Sequence, residues 1–153
     1  MRVKEAKQIP IKPTAIAIVF AALYGAIPSA HAGALPTGGR FVAGNGSIAQ
    51  SGNSVTINQN SSRGVVDWNS FSIDRGNAVT FNNGTGATLN RVTGGDTSMI
   101  MGALSATGSV YLINPQGVVI GNNGTGTTCG RFVASTLDTD NASFMNGGPL
   151  TFT

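Results

Sequence analysis

The side chains able to do chemistry are few in the part of the chain that follows residue 32. That part carries five arginines, five aspartates and one cysteine, and it has no histidine, lysine or glutamate. The usual general bases are therefore missing, and neither a Ser-His-Asp or Cys-His catalytic site nor a His/Cys zinc site can form. We expect no enzyme activity, no metal and no cofactor from this segment.

The remaining candidates for chemistry are weak. Asp138 and Asp140 could face the same side of a strand like the paired carboxylates of a glycosidase, but two carboxylates alone do not define that site. Asp96 lacks neighbours at calcium-ligand spacing. Cys129 cannot form an internal disulfide, because it is the one cysteine of the chain. We favour a small buried side chain for it over a reactive thiol.

Residues 1–32 have the order of a secretory signal peptide. A basic start precedes an apolar run and then two small residues at the expected cleavage site, namely Arg2, Lys4, Lys7 and Lys12; residues 15–26; and Ala30 and Ala32. A transmembrane anchor is the alternative, but it needs roughly 20 apolar residues, well beyond the length of this run. We expect export by the general secretory translocase and cleavage by signal peptidase after Ala32. Residues 33–153 then form the mature domain.

Removal of residues 1–32 also removes the net charge. The four basic residues of this segment, less Glu5, account for the whole formal charge of +3. Residues 33–153 are neutral, so they have no basic patch for phosphate contacts. We therefore exclude nucleic acid as a partner.

Short strands recur along the mature segment. "GNSVTIN" at 52–58 returns as "GNAVTFN" at 76–82, and "GSVYLIN" at 108–114 is similar. In each, apolar residues alternate with Ser, Thr or Asn, which indicates a strand with one buried face. "SMIMGAL" at 98–104 fits either a strand or a helical turn. The pattern predicts an all-β sandwich, barrel or solenoid. As a solenoid of about 24 residues a coil, the segment would make about five coils.

The stretch "SVYLINPQGVVIG" at 109–121 helps to choose among these folds. Asn114 at the first position, Pro115 at the second and Gly117 at the fourth suit a type I turn. A tight two-residue hairpin needs a positive φ at the second position, which Pro115 cannot adopt. We therefore expect the chain to turn a corner here, as in a coil of a β-helix, although a longer hairpin loop built on a type I turn remains an alternative.

Four blocks of this sequence carry a resemblance to a known family. "GVVDWNSFSID", "TLNRVTGG", "GALSATGSVYLINPQGVVIG" and "GRFVASTLD" occur in the order found in the amino-terminal secretion domain, or haemagglutination activity domain, of filamentous-haemagglutinin-like adhesins. These are large exoproteins of bacterial two-partner secretion. The resemblance runs from about residue 35 to the end of the sequence.

The resemblance implies a right-handed parallel β-helix and a function in secretion. A dedicated outer-membrane β-barrel transporter with periplasmic recognition domains would bind the domain, which would then nucleate β-helix folding outside the cell. The product would be secreted or held at the bacterial surface, where such adhesins can meet host cells. A small stand-alone adhesin or structural solenoid that binds host glycans or proteins is the alternative function.

Two family motifs fall on numbered positions of this chain. The hallmark Asn-Pro-Asn-Gly-Ile corresponds to Asn114, Pro115, Gln116, Gly117 and Val118, with Gln for Asn and Val for Ile. The second motif, typical of the high-molecular-weight-adhesin branch, is Asn90, Arg91, Val92 and Thr93. The first motif could serve recognition, form a corner or do both.

The second motif and the aromatic residues leave alternatives open as well. Asn90 and Arg91 could dock the transporter, but we favour a structural role in which Asn90 bonds within the stacked coils. Arg91 would then be solvated or paired with Asp96. Trp68 and Phe71 are expected in the core or a cap, with a carbohydrate-stacking surface as the alternative.

The sequence stops at "PLTFT", where Leu150 and Phe152 alternate as in a strand. A solenoid that ends on such a strand presents an open edge. We therefore expect the β-helix to be incomplete at this end, so that the sequence is a fragment, a natural truncation or a domain that something else caps.

Overall fold

The structure is a computed structural model that describes residues 34–122 and 124–153. The predicted signal peptide, including Ala30 and Ala32, lies outside these residues. None of the helices within the described ranges is long and apolar enough to span a membrane.

Short strands dominate the described residues, as the period-two alternation predicts. They run β1 Arg40–Ala43, β2 Gly46–Ser51, β3 Ser54–Gln59, β4 Arg63–Trp68, β5 Ala78–Asn82, β6 Ala87–Val92, β7 Ser98–Ile100, β8 Ala103–Ala106, β9 Ser109–Ile113, β10 Val118–Ile120, β11 Thr125–Thr128 and β12 Phe132–Ser135. One helix follows them, α1 at Asn141–Asn146. The segment "SMIMGAL" therefore contains all of β7 and the first two residues of β8, and it does not form a helical turn.

The strands stack in parallel on three faces of a coil. The first face contains β3, β5, β8 and β11; the second contains β4, β6, β9 and β12; the third contains β7 and β10, with a bridge from Ile73 to Ile100. Ser54 pairs with Ala78, Ala78 with Ala103 and Ala103 with Thr125, so successive coils have nearly the same length. The predicted parallel β-helix is confirmed.

The number of coils is smaller than predicted. Four parallel strands on the first face enclose three coils, not five. At the start, β2 and β1 pair antiparallel with β3 and β4, so they close the end of the stack without adding a coil. At the other end, residues 136–153 leave the coil. They form a connecting segment, α1 and the segment that follows α1. The expected strand at Leu150 and Phe152 is wrong.

Apolar side chains fill the inside of the coils in vertical columns. Two of the columns on the first face are Val55, Val79 and Leu104, and Ile57, Phe81 and Ala106. Trp68 and Phe71 are each 1 % exposed and meet edge to face with ring centroids 5.4 Å apart. Both aromatic residues therefore belong to the core, and the alternative of a carbohydrate-stacking surface is wrong.

The corner between the first and second faces is closed by polar groups. Thr88 Oγ1 donates to Gln59 Oε1 at 2.8 Å and accepts from Asn83 Nδ2 at 3.0 Å. Asn83 Oδ1 in turn accepts from the Gly108 N–H at 2.7 Å. The coils approach so closely here that a Cβ on Gly108 would lie 2.3 Å from the Gly86 carbonyl oxygen. These contacts satisfy the buried side chains of one another and the Gly108 N–H, which the turn leaves outside the sheets.

The second face is covered on its outer side by α1. Phe144 is fully buried there against Val65, Ala87, Leu89 and Ile113. Asp140 caps the helix, since its Oδ2 accepts the Ser143 N–H at 2.9 Å, and Gly147 ends it with a φ of 74°. The strands β4, β6 and β9 thus pack on the inner core and, over part of their outer side, on the cluster around Phe144.

Candidate recognition site

The Asn114–Gly117 turn is held by the side chain of its first residue. Asn114 is fully buried, and its Nδ2 donates to the Asp96 carbonyl and to Ser98 Oγ, both at 2.9 Å. Its Oδ1 accepts the Gln116 N–H at 2.9 Å, and its own carbonyl accepts the Gly117 N–H at 3.0 Å. The chain passes here from β9 on the second face to β10 on the third, so the predicted corner is present.

The middle of this turn faces solvent. Pro115 and Gln116 are exposed, while Gly117 and Val118 are half-buried. Gly117 has a φ of 109°, which side chains rarely adopt, so glycine is required at this position. The motif is therefore divided: Asn114 serves the fold, and Pro115 with Gln116 is free to contact another molecule.

The strand after the turn exposes apolar side chains. Among the described residues β10 has a strand partner on one edge alone, β7, and Val119 pairs in register with Met99. Met99, Val119 and Ile120 are 37 %, 44 % and 52 % exposed. We name these three residues the apolar strip. It adjoins the turn, and its run "VVI" gave no sign of exposure in the sequence.

Three residues of the second motif are used by the fold. Asn90 is fully buried, accepts the Trp68 Nε1–H at 3.0 Å and donates to the Tyr111 carbonyl at 3.2 Å. Val92 is 2 % exposed, and Thr93 Oγ1 donates to the Trp68 carbonyl at 3.0 Å. Asn90 therefore bonds between neighbouring coils, in agreement with the structural interpretation.

Arg91 forms ion pairs on the outer side of the second face. It donates from Nε and Nη2 to the Asp138 carboxylate at 2.9–3.0 Å, and its Nη1 lies 3.5 Å from Asp67 Oδ1. The expected alternatives for Arg91, solvation or pairing with Asp96, are wrong. The chain crosses the outside of this face just before α1, and this brings Asp138 to Arg91. The two residues lie far apart in the sequence, so the sequence did not indicate this ion pair.

The structure brings the two motifs side by side. Asn90 pairs with Leu112 and Arg91 with Ile113 in the parallel β6–β9 ladder, and Asn114 follows directly. Their exposed parts nevertheless differ in direction, since Arg91 is tied down against the outer side of the second face whereas Gln116 projects at the next corner. Of the two motifs, the turn offers the more accessible surface.

The other candidates for chemistry are dispersed. Asp138 and Asp140 do not face one side of a strand, because the first pairs with Arg91 and the second caps α1. The backbone N–H of Ser143 holds the pKa of Asp140 below its ordinary value of 3.8. Cys129 is exposed, so the favoured buried placement is wrong. No cluster of three metal-ligating side chains occurs among the residues that the structure describes.

Comparisons with known proteins agree with this geometry. The family model of the TPS secretion domain matches residues 32–152. The heme/hemopexin-binding protein of Haemophilus influenzae is 35% identical over 139 residues, which cover 90% of this chain and 15% of that protein. The HMW1 secretion domain from Haemophilus influenzae superposes with a TM-score of 0.67 at 32% identity, covering 77% of this chain and 32% of the other.

These likenesses extend over nearly all of the described chain but over only a small part of the relatives' length. They concern the secretion domain of adhesin-like exoproteins, which leave the cell by way of a dedicated outer-membrane transporter. The chain belongs to the family of TPS secretion domains, the domains of two-partner secretion exoproteins.

Proposed function

We propose that residues 33–153 are a targeting domain that a dedicated outer-membrane β-barrel transporter recognises in the periplasm and that starts β-helix folding outside the cell. Residues 1–32 would direct the chain to the secretory translocase and be removed by signal peptidase after Ala32. The family match over residues 32–152 supports this function. The final product would be secreted or surface-bound, and contact with host cells would depend on the whole exoprotein.

The observation that carries the proposal is the exposed turn beside a free strand edge. Pro115 and Gln116 are accessible, and β10 directly after them has an unpaired edge among the described residues together with the apolar strip. A periplasmic recognition domain can bind such a strand by adding it to its own sheet, with main-chain hydrogen bonds for affinity and pockets for alternate side chains. In this chain the free edge of β10 would supply the main-chain hydrogen bonds, and the side chains of Val119 and Gln116 would enter the pockets.

The order of contacts along the chain supports folding from one end. The inner strands β5, β6, β8 and β9 each pair with the strands one coil before and after them, so coils can be added one at a time. The antiparallel strands β1 and β2 pair with β4 and β3, which closes one edge of the first coil, and later coils stack on its opposite edge. No disulfide has to form first.

Export with and without the cognate transporter tests the proposal. We expect the wild-type domain in the medium when the transporter is co-expressed and in the periplasm when it is absent. Gln116→Ala combined with Val119→Ser should lower export at least about tenfold, as loss of a few interface anchors does elsewhere. Leu137→Ser is the matched control, because Leu137 is an apolar side chain away from the turn that is 52 % exposed, against 44 % for Val119.

Equal export without the transporter would refute the targeting role and favour the stand-alone adhesin or structural solenoid. The double variant must first show an unchanged unfolding midpoint, so that loss of export reports recognition. Heme or hemopexin binding is not proposed for this chain, because the match covers 15% of the relative that carries this name.

A further inference from the structure

A cleft of about 490 Å³ lies on the outer side of the second face, between the sheet and the segment that follows α1. We name it the arginine cleft; its lining includes Arg63, Ser109, Tyr111, Arg131, Gly148 and Phe152. None of the functions discussed above uses it. Its lining comes from β4, β9, β12 and the segment after α1, and it includes no residue of the turn or of the apolar strip.

Strand register places the two arginines in one row across the sheet. Arg63 pairs with Ala87, Ala87 pairs with Ser109, and Arg131 follows on the next strand, where its backbone N–H donates to Ser109 Oγ at 2.9 Å. Three strand spacings put the two arginine Cα atoms about 14 Å apart. Of the two small residues between them in this row, Ala87 is buried in the cluster with Phe144, and Ser109 lines the cleft.

The charges of these arginines are not neutralised within the described chain. Arg63 Nη1 donates to the Phe144 carbonyl at 3.1 Å, and its guanidinium lies 5.1 Å from the Phe144 ring centroid, but it forms no ion pair with a described carboxylate. Arg131 is exposed and likewise has no described acidic partner. Arg91 on the same sheet, by contrast, is held by two carboxylates. The cleft therefore presents unopposed positive charge.

We propose that the arginine cleft binds an acidic saccharide through its carboxylate or sulfate groups. Guanidinium groups bind both kinds of oxyanion in a bidentate manner. Ser109, Tyr111 and the main chain at Gly147 and Gly148 supply polar groups for hydroxyls. An acidic peptide could add as a strand only at the free edge of β12, because β4 and β9 are paired on both edges.

Titration of the exported protein with defined saccharides tests this site. The probes are a heparin-derived sulfated hexasaccharide, sialyllactose and neutral lactose, followed by calorimetry and by amide chemical shifts. We expect saturable binding of at least one acidic probe, weaker binding at higher salt, and shifts at Ser109 and Gly148. The sulfated and the carboxylated probe distinguish the two sources of negative charge. Lactose should not bind.

Arg131→Ala should weaken binding of the acidic probe about tenfold, since charge-assisted hydrogen bonds are lost. Arg75→Ala removes another exposed arginine, which lies outside the cleft, and should leave binding unchanged. Export should be the same for both variants, so this test is independent of the targeting role. The proposal is overturned if neither acidic probe binds saturably, if both variants weaken binding equally, or if inorganic phosphate binds as tightly as the saccharides.

Discussion

At the scale of single residues, the two family motifs combine structural and exposed positions. Asn114 and Asn90 are fully buried and bond inside the coils, whereas Pro115 and Gln116 face solvent. A buried amide that satisfies three partners is costly to lose, because the groups left behind have no access to water. The structure thus assigns Asn114 and Asn90 to folding, and the proposed recognition by the transporter would use the exposed residues.

We expect Asn114→Ala to lower the free energy of unfolding by about 2–3 kcal/mol. The substitution removes the hydrogen bonds to the Asp96 carbonyl, to Ser98 Oγ and to the Gln116 N–H. Urea unfolding should show a lower midpoint with an unchanged slope. Gln116→Ala serves as the control and should change the free energy by less than about 0.5 kcal/mol. Equal effects of both substitutions would contradict the division of the motif.

The limits of sequence reasoning also show at single residues. The turn at Asn114–Gly117 was predictable, because Pro115 fixes φ and Gly117 permits a positive φ within one short stretch of chain. The partner of Arg91 was not, since Asp138 approaches it only after the chain has crossed the outside of the second face. The exposure of Cys129 depends in the same way on the position of β11 at the end of the stack.

At the scale of elements, α1 exists because of its caps and its burial. The helix has only 6 residues, Asn141–Asn146, which is too short for a helix that is stable by itself. The Asp140 carboxylate accepts the Ser143 N–H at the start of the helix, and Phe144 packs on the second face. These features lie outside the strand repeats, so a search for period-two or long amphipathic patterns does not find this helix.

The cap of α1 gives the protein a pH-dependent contribution to stability. Hydrogen bonding to Ser143 lowers the pKa of Asp140 in the folded state below its ordinary 3.8. The unfolded chain therefore binds this proton more readily, and the stabilisation is present above pH 3.8 and is lost as the pH falls through the folded pKa. We expect the stability advantage of the wild type over Asp140→Asn, measured by urea unfolding, to shrink between about pH 5 and pH 2. An advantage that stays constant over this range would contradict the assignment.

At the scale of the whole molecule, the sequence predicts the coil but not its ends. Repeats such as "GNSVTIN" and "GNAVTFN" stack in register, as Ser54 on Ala78, because identical alternation buries identical positions. The prediction of five coils assumed the repeat spacing for all of residues 33–153, whereas the structure has three coils. Antiparallel pairing of β2 with β3 and the departure of the chain after β12 both break that spacing.

This architecture predicts a gradient of local stability along the stack. The strands β4, β6 and β9 are paired on both edges and buried on both sides, by the inner core and by the α1 cluster. Their amides should open only in global unfolding, whereas β10 and β12 have one strand partner each and should open locally at lower free energy. Hydrogen exchange followed by mass spectrometry or NMR should therefore show amides of β10 and β12 exchanging at least about a hundredfold faster than those of β6.

Phe144→Ala should reduce protection at Leu89 and leave Val79 on the first face less affected, because Phe144 packs only on the outer side of the second face. Uniform protection of all strands would show instead that the coils unfold as one cooperative unit, and coil-by-coil folding outside the cell would then lose its physical basis.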